Sequence, residues 1–125
     1  MKEYTLLFRL DILTAEGQPS EEQMKQFMQQ WMQWLKEISE KGQLASGGNH
    51  LKYTGKVIRA GNVIGNQPYA ANGESVAGYI IIRAENMDDA TQIAEKCPIL
   101  NGGTKNSVEI RETATPQAIN DIGRN

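Results

Sequence analysis

The sequence predicts an α+β fold in which two helices cover one face of a four-stranded antiparallel sheet. Three observations support this. Residues 3–10 and 75–84 are rich in residues that favour β-strands. Apolar residues from Met24 to Ile38 recur at spacings of three and four, the period of a helix. A shorter helical pattern then leads to a last strand at residues 107–112. The order β, α, a β-rich middle, β, α, β is that of the ferredoxin-like βαββαβ fold.

The first strand carries apolar side chains on both of its faces. Tyr4, Leu6 and Phe8 alternate on one face, and Leu7 lies on the other. A strand that is apolar on both sides is typical of a position in the middle of a covered sheet.

The first helix begins at Ser20, because Ser20 and Gln23 have the spacing of a capping box. Gly42 is suited to end it. Met32 and Trp34 lie off the apolar stripe, so they either widen the buried face or contact a partner. The predicted inward stripe is Met24, Phe27, Met28, Trp31, Leu35 and Ile38.

The middle of the chain contains short strands separated by turns. A strand is predicted at residues 43–46 and is expected to end at the two glycines that follow. A hairpin turn is predicted at Thr54 and Gly55, between strands at residues 51–53 and 56–59.

The second half repeats the pattern of strand, helix and strand. Residues 79–82 are apolar without alternation, which indicates burial on both faces. Asn86 is placed to cap the second helix, and Pro98 to stop it. The strand at residues 107–112 alternates, with Val108 and Ile110 facing inward. The predicted inward stripe of the second helix is Met87, Ala90, Ile93, Ala94 and Cys97.

These strands predict a homodimer. In a split βαβ sheet the first and third strands are central, and here they are the two that are apolar on both faces. The helices cover one face only, and an uncovered apolar sheet face is an association site. A second copy of the chain is the simplest cover for it.

Composition excludes several classes of protein. The chain has 125 residues, which corresponds to one domain at about 150 residues per domain. A net charge of -2 argues against nucleic-acid and membrane-surface partners. The single cysteine excludes an intrachain disulfide, and no motif for a metal or cofactor is present, so we expect neither. With no targeting or membrane-spanning segment visible, we expect a cytoplasmic protein.

Five segments resemble, in order and spacing, the YCII-related family, also called DGPF-domain proteins. They are MKEYTLLFRL, SEEQMKQFMQQWMQWLKEI, AGYIIIRA, KCPIL and SVEIRE. The resemblance implies a dimeric ferredoxin-like α/β barrel, and it covers residues 1–112. Residues 113–125 form a C-terminal extension, for which Thr115 and Pro116 predict a helix start. Its Ile119 and Ile122 either dock on the dimer surface near Met32 and Trp34 or belong to a frayed terminus.

The chain departs from the family at two chemical positions. The name motif Asp-Gly-Pro-Phe corresponds to Asn66-Gln67-Pro68-Tyr69, which keeps the proline and the aromatic residue but not the acid. The resemblance implies His–Asp acid–base chemistry in short members that carry a histidine near the start of the first helix. Residues 20–24 contain no histidine. Both departures favour a non-catalytic protein.

The candidate ligand-binding residues are His50, Arg59, Asn66, Pro68 and Tyr69, which lie where the turn-rich middle meets the sheet. His50 is the sole histidine and the best candidate for moving a proton at neutral pH, although a structural role is the simpler explanation of a lone histidine. We therefore expect a non-catalytic, homodimeric small-molecule-binding or regulatory protein. The alternative is an enzyme with acid–base chemistry in the cleft that uses His50.

Overall fold

Two helices lie on one side of a four-stranded antiparallel sheet in the computed structural model of the chain, which describes residues 1–11, 20–102 and 105–114. The predicted helix at Thr115 lies outside the described residues. In chain order the elements are β1 (Lys2–Asp11), α1 (Glu21–Glu40), β2 (Leu44–His50), β3 (Val57–Arg59), β4 (Val63–Gly65), β5 (Glu74–Ala84), α2 (Met87–Ala94), a 3-10 turn (Pro98–Asn101) and β6 (Ser107–Glu112).

The strand order in the sheet is β2–β5–β1–β6, and every neighbouring pair is antiparallel. The two strands that were predicted to be central, β1 and β5, are central. Their register places Tyr4 opposite Ile82 and Leu6 opposite Ile80. This arrangement confirms the α+β class and is consistent with the ferredoxin-like order. Strands β3 and β4 form a separate hairpin.

The core lies between the central strands and α1. Tyr4, Leu6 and Phe8 point to the helices, on what we call the helix face of the sheet, and all three are buried. Phe8 meets the edges of two tryptophans, with ring centroids 4.9 Å from Trp31 and 6.0 Å from Trp34. Contacts of this kind contribute about 1 kcal/mol each beyond the burial of their area. The opposite side, where Thr5, Leu7, Arg9, Tyr79 and Ile81 lie, is the open face.

The predicted apolar stripe of α1 packs in or against the core at Phe27, Trp31, Leu35 and Ile38. Trp34 widens this buried face, one of the two alternatives left open: it is 4% exposed, and its indole N–H donates to the carbonyl of Ile93 at 3.2 Å. Met24 and Met28, which were predicted to point inward, are exposed. The hydrogen bond to α2 and the contact with Phe8 draw the Trp34 side of the helix inward, so Met24 is left beside an open cleft.

Both helix starts agree with the prediction. At α1 the backbone N–H of Gln23 donates to Ser20 Oγ, and the N–H of Ser20 donates to Gln23 Oε1, which completes the capping box. At α2 the side chain of Asn86 accepts from the N–H of Asp89. However, α2 ends at Ala94, before Pro98, and its first residue Met87 is exposed rather than inward.

Two predictions about the middle of the chain are wrong. β2 does not stop at Gly47 but runs on to His50. The hairpin joins β3 to β4, and its turn includes Gly61 and Asn62 rather than Thr54. Both turn residues have positive φ, at 85° and 61°, a conformation that glycine and asparagine adopt most readily.

None of the helices within the described ranges is long and apolar enough to cross a membrane.

Gly48 is predicted to be essential for the pairing of β2 with β5, whereas its neighbour Gly47 is not. Gly48 has a φ of 59°, and a Cβ there would overlap the carbonyl oxygen of Tyr79. A Cβ on Gly47 would meet nothing within 4 Å. Gly48→Ala should therefore lower the free energy of unfolding by at least about 2 kcal/mol, and Gly47→Ala should change it by less than about 1 kcal/mol. Urea unfolding measures both, and equal effects would mean that the close approach to Tyr79 is not formed.

Candidate functional site

Two recesses lie at the end of the sheet where β1 and β2 finish and β5 begins. Leu10 lines the recess on the helix face, and Arg9 lines the recess on the open face. Because successive residues of a strand point to opposite faces, these two neighbours place the recesses on opposite sides of the sheet. We call them the helix-face cleft and the loop pocket.

The helix-face cleft has a volume of about 380 Å³ and lies between the first half of α1, the 3-10 turn and Tyr53. Its polar wall consists of amides, which can donate and accept hydrogen bonds, although that of Asn106 is bound to the backbone of Asp11 and Ile99. The amide residues are Gln23, Gln26, Gln30, Asn101 and Asn106. Among the described residues that line it, Tyr53 is the one with an ionisable side chain. Partial burial raises the pKa of Tyr53 and so favours the neutral phenol, a group that can donate a hydrogen bond.

His50, the last residue of β2, lies on the helix side of the sheet. Its ring centroid is 5.3 Å from that of Trp31, and Trp31 is 5.9 Å from Phe27, which lines the helix-face cleft. The imidazole is exposed to solvent. Buried Trp31 thus lies between the imidazole and Phe27 of the cleft wall, and His50 itself does not line the cleft. Tyr53 enters that wall three residues after His50.

The loop pocket has a volume of about 490 Å³ and lies under the chain that connects β2 to β5. Its lining includes three cations, Arg9, Lys52 and Lys56, and one carboxylate, Glu74. Ser107 donates a hydrogen bond of 2.7 Å to Glu74 Oε1.

Arg9 is already paired at the edge of this pocket. Its guanidinium binds Glu109 at 2.6 Å, and Arg111 binds the other oxygen of the same carboxylate at 3.5 Å. The hydrogen bond from Arg9 lowers the pKa of Glu109 and keeps the carboxylate charged. Arg9 is thus held within a surface ion-pair network.

The structure gathers some of the predicted site residues and separates others. Pro68 and Tyr69 line the loop pocket, and the guanidinium carbon of Arg59 lies 5.9 Å from the Tyr69 ring centroid. Asn66 follows β4 and lines neither recess. His50 does not line the loop pocket. Its neighbour Leu51 points into that pocket, and His50 points to the opposite, helix face of the sheet.

Sequence reasoning missed the residues that make both recesses polar. The glutamines of α1 were interpreted as a solvated face, yet Gln23, Gln26 and Gln30 line the helix-face cleft. Their spacing of three and four placed them on one side of the helix, and this was the available signal. Lys52, Tyr53 and Lys56 gave no such signal, because their segment has no regular period.

Cys97 does not take part in either recess. It is 1% exposed, and burial raises the pKa of its thiol to about 12, although the backbone N–H of Ile99 lowers it. Within the described ranges, no group of three or more His, Cys, Asp or Glu side chains is placed to hold a metal ion.

Comparison with known proteins identifies the family. A family model described as the YCII-related domain matches residues 10–114, which confirms the resemblance seen in the sequence. No curated protein matches the chain. Among solved structures, the chain is similar to 5-chloro-2-hydroxyhydroquinone dehydrochlorinase of Burkholderia phenoliruptrix, in complex with 2,5-dihydroxybenzoquinone. The identity is 15%, the TM-score is 0.47, and the alignment covers 91% of this chain and 97% of the other.

The expectation of a non-catalytic protein is corrected here: the chain matches the YCII-related domain model, and the solved structure to which it is similar is described as a dehydrochlorinase. That expectation relied on two family positions that lack an acid and a histidine. The alternative relied instead on His50, which β2 places against Trp31 of α1. At 15% identity no residue role carries over to this chain.

The thiol of Cys97 should resist alkylation while the protein is folded. With a pKa raised to about 12, only on the order of one thiol in ten thousand is ionised at about pH 8. Mass spectrometry after treatment with iodoacetamide should therefore show modification at least about 100-fold slower than in guanidinium-unfolded protein, and faster as the pH rises. Equal rates in folded and unfolded protein would place the thiol at the surface.

Proposed function

We propose that this chain, which belongs to the YCII-related domain family, is an enzyme that acts by general acid–base catalysis on a small polar molecule. The substrate binds in the helix-face cleft, and His50 moves the proton. The single observation that carries the proposal is the exposed imidazole held against Trp31, on the same side of the sheet as the cleft.

His50 has the chemistry that the reaction needs. Imidazole exchanges a proton close to neutral pH, and no other histidine is present in the chain. The indole of Trp31 supports one side of the ring and limits its orientations, while the other side remains open. Since the imidazole is exposed on the same side of the sheet, a substrate that projects out of the cleft past Phe27 would bring its reacting atom to His50.

The cleft favours uncharged polar substrates. Amide side chains bind carbonyl and hydroxyl groups by donating and accepting hydrogen bonds, and no charged side chain is present among the described lining residues. The phenol of Tyr53 donates its O–H to an oxygen on which negative charge develops. In this mechanism an imidazole nitrogen of His50 takes a proton from the substrate and returns it to a second position.

The assembly is a homodimer that covers the apolar centre of the open face, leaves the loop pocket at the end of the sheet accessible, and forms a dimeric α/β barrel. Leu7, Tyr79 and Ile81 form an apolar centre on this face and are only half-buried within one chain. The ion pairs of Arg9 and Glu109 lie beside them. An apolar centre with charged groups around it is typical of a protein interface.

Replacement of His50 should greatly lower the rate of turnover. Small carbonyl and hydroxy compounds that raise the melting temperature are incubated with the protein in D₂O and followed by NMR. We expect conversion or deuterium exchange with the wild-type chain, and a rate lower by roughly 10²-fold to 10⁴-fold with His50→Ala.

The matched control is Asn49→Ala, which alters the adjacent strand residue on the opposite face, where Asn49 pairs with Tyr79. Its rate should equal that of the wild type. If stabilising compounds remain chemically unchanged, the protein is not this enzyme. An unchanged rate in His50→Ala would remove His50 from the mechanism.

Ile81→Lys should dissociate the dimer. Ile81 lies on the open face, whereas Ile80 is fully buried toward the helices, so the charge is introduced at the interface and not in the core. Light scattering should give twice 13.9 kDa for the wild type and 13.9 kDa for the variant. The control Met32→Lys, on an exposed apolar residue of α1, should remain dimeric. A wild-type protein with the mass of a single chain would contradict the proposed assembly.

A further inference from the structure

The loop pocket contains positive charges without partners. Within the described part of the chain, the lining residues Lys52 and Lys56 form no ion pair, unlike Arg9, which is bound to Glu109. The one carboxylate in the lining, Glu74, accepts a hydrogen bond from Ser107 instead. The pocket therefore carries an excess of positive charge, although the chain as a whole has a net charge of -2.

The loop pocket is also lined by apolar side chains. The aliphatic and aromatic residues of the lining are Leu51, Val57, Pro68, Tyr69 and Val76. Tyr69 is 63% exposed, so its ring is available to a ligand, and Arg59 lies at cation–π distance from it. An exposed aromatic ring in a recess lined with cations can bind both the apolar part and the charge of one molecule.

The volume limits what can enter. About 490 Å³ accommodates a molecule of one or two rings and lies within the usual range for small-molecule sites. Inorganic phosphate would leave the apolar lining uncovered, and a nucleic-acid backbone would require an extended basic surface, which a chain with this charge does not have.

We propose that the loop pocket is a second binding site, separated by the sheet from the helix-face cleft, and that it takes a small aromatic carboxylate. The ring of the ligand packs against Tyr69, and its carboxylate is bound by the ammonium groups of Lys52 and Lys56. Charge-assisted hydrogen bonds to the lysines supply the preference for an anion, and the apolar lining supplies the preference for a ring.

The test compares 2-naphthoate with its neutral isostere 2-naphthamide, by calorimetric titration and saturation-transfer NMR. We expect naphthoate to bind at least about tenfold more tightly than naphthamide. The double variant Lys52→Gln, Lys56→Gln should lose at least about tenfold in naphthoate affinity and bind the two compounds equally. Lys25→Gln serves as the control, because Lys25 is an exposed lysine of α1 that lines neither recess, and it should bind as the wild type does.

Tyr69→Ala tests the apolar part of the site separately from the lysines. It should weaken the binding of naphthoate and of naphthamide by a similar factor. Four results would overturn the proposal: no saturable binding of naphthoate, equal affinity for naphthoate and naphthamide, inorganic phosphate binding as tightly as naphthoate, or unchanged naphthoate affinity in the double lysine variant. Each would show that the unpaired cations do not form an organic-anion site.

Discussion

The packing of Trp31 and Trp34 of α1 against Phe8 is the contact on which the rest of the described structure depends. Phe8 belongs to a central strand, so the helix is placed over the middle of the sheet. Trp34 then donates a hydrogen bond to the carbonyl of Ile93 in α2, and Trp31 packs against His50 at the end of β2. Large rings that meet edge to face have few alternative arrangements, and the helix cannot rotate without losing all of these contacts.

The alternation of side chains along β1 and β2 places the two recesses on opposite faces of the sheet. Leu10 faces one recess and Arg9 the other, and in the same way His50 and Leu51 point to opposite sides of the sheet. The helix-face cleft receives amides and a phenol because α1 and the 3-10 turn cover it. The loop pocket receives lysines because the connection from β2 to β5 folds over the other side. Two sites of different polarity are thus built from adjacent residues.

The motif positions that match the family and the one that has lost its acid lie in different places in the structure. Pro68 and Tyr69, the two positions that are kept, line the loop pocket, while Asn66, the position where the acid is lost, lines neither recess. The proton-transfer role proposed here therefore falls to a residue of β2 rather than to the motif. A catalytic group can be supplied by any element that reaches the same end of the sheet, so its absence at one position does not exclude catalysis.

Local features of the sequence determined where the two helices begin and which strands are central. The capping box of Ser20 and the two-sided apolar pattern of β1 and β5 depend only on neighbouring residues, so they could be read without a fold. Only the tertiary structure decided that Trp34 is buried, that β2 continues through Gly48, and that the glutamines of α1 face a cleft. The reason is that each of these depends on an element distant in the chain: α2 for the indole, the carbonyl of Tyr79 for the glycine, and the 3-10 turn for the amides.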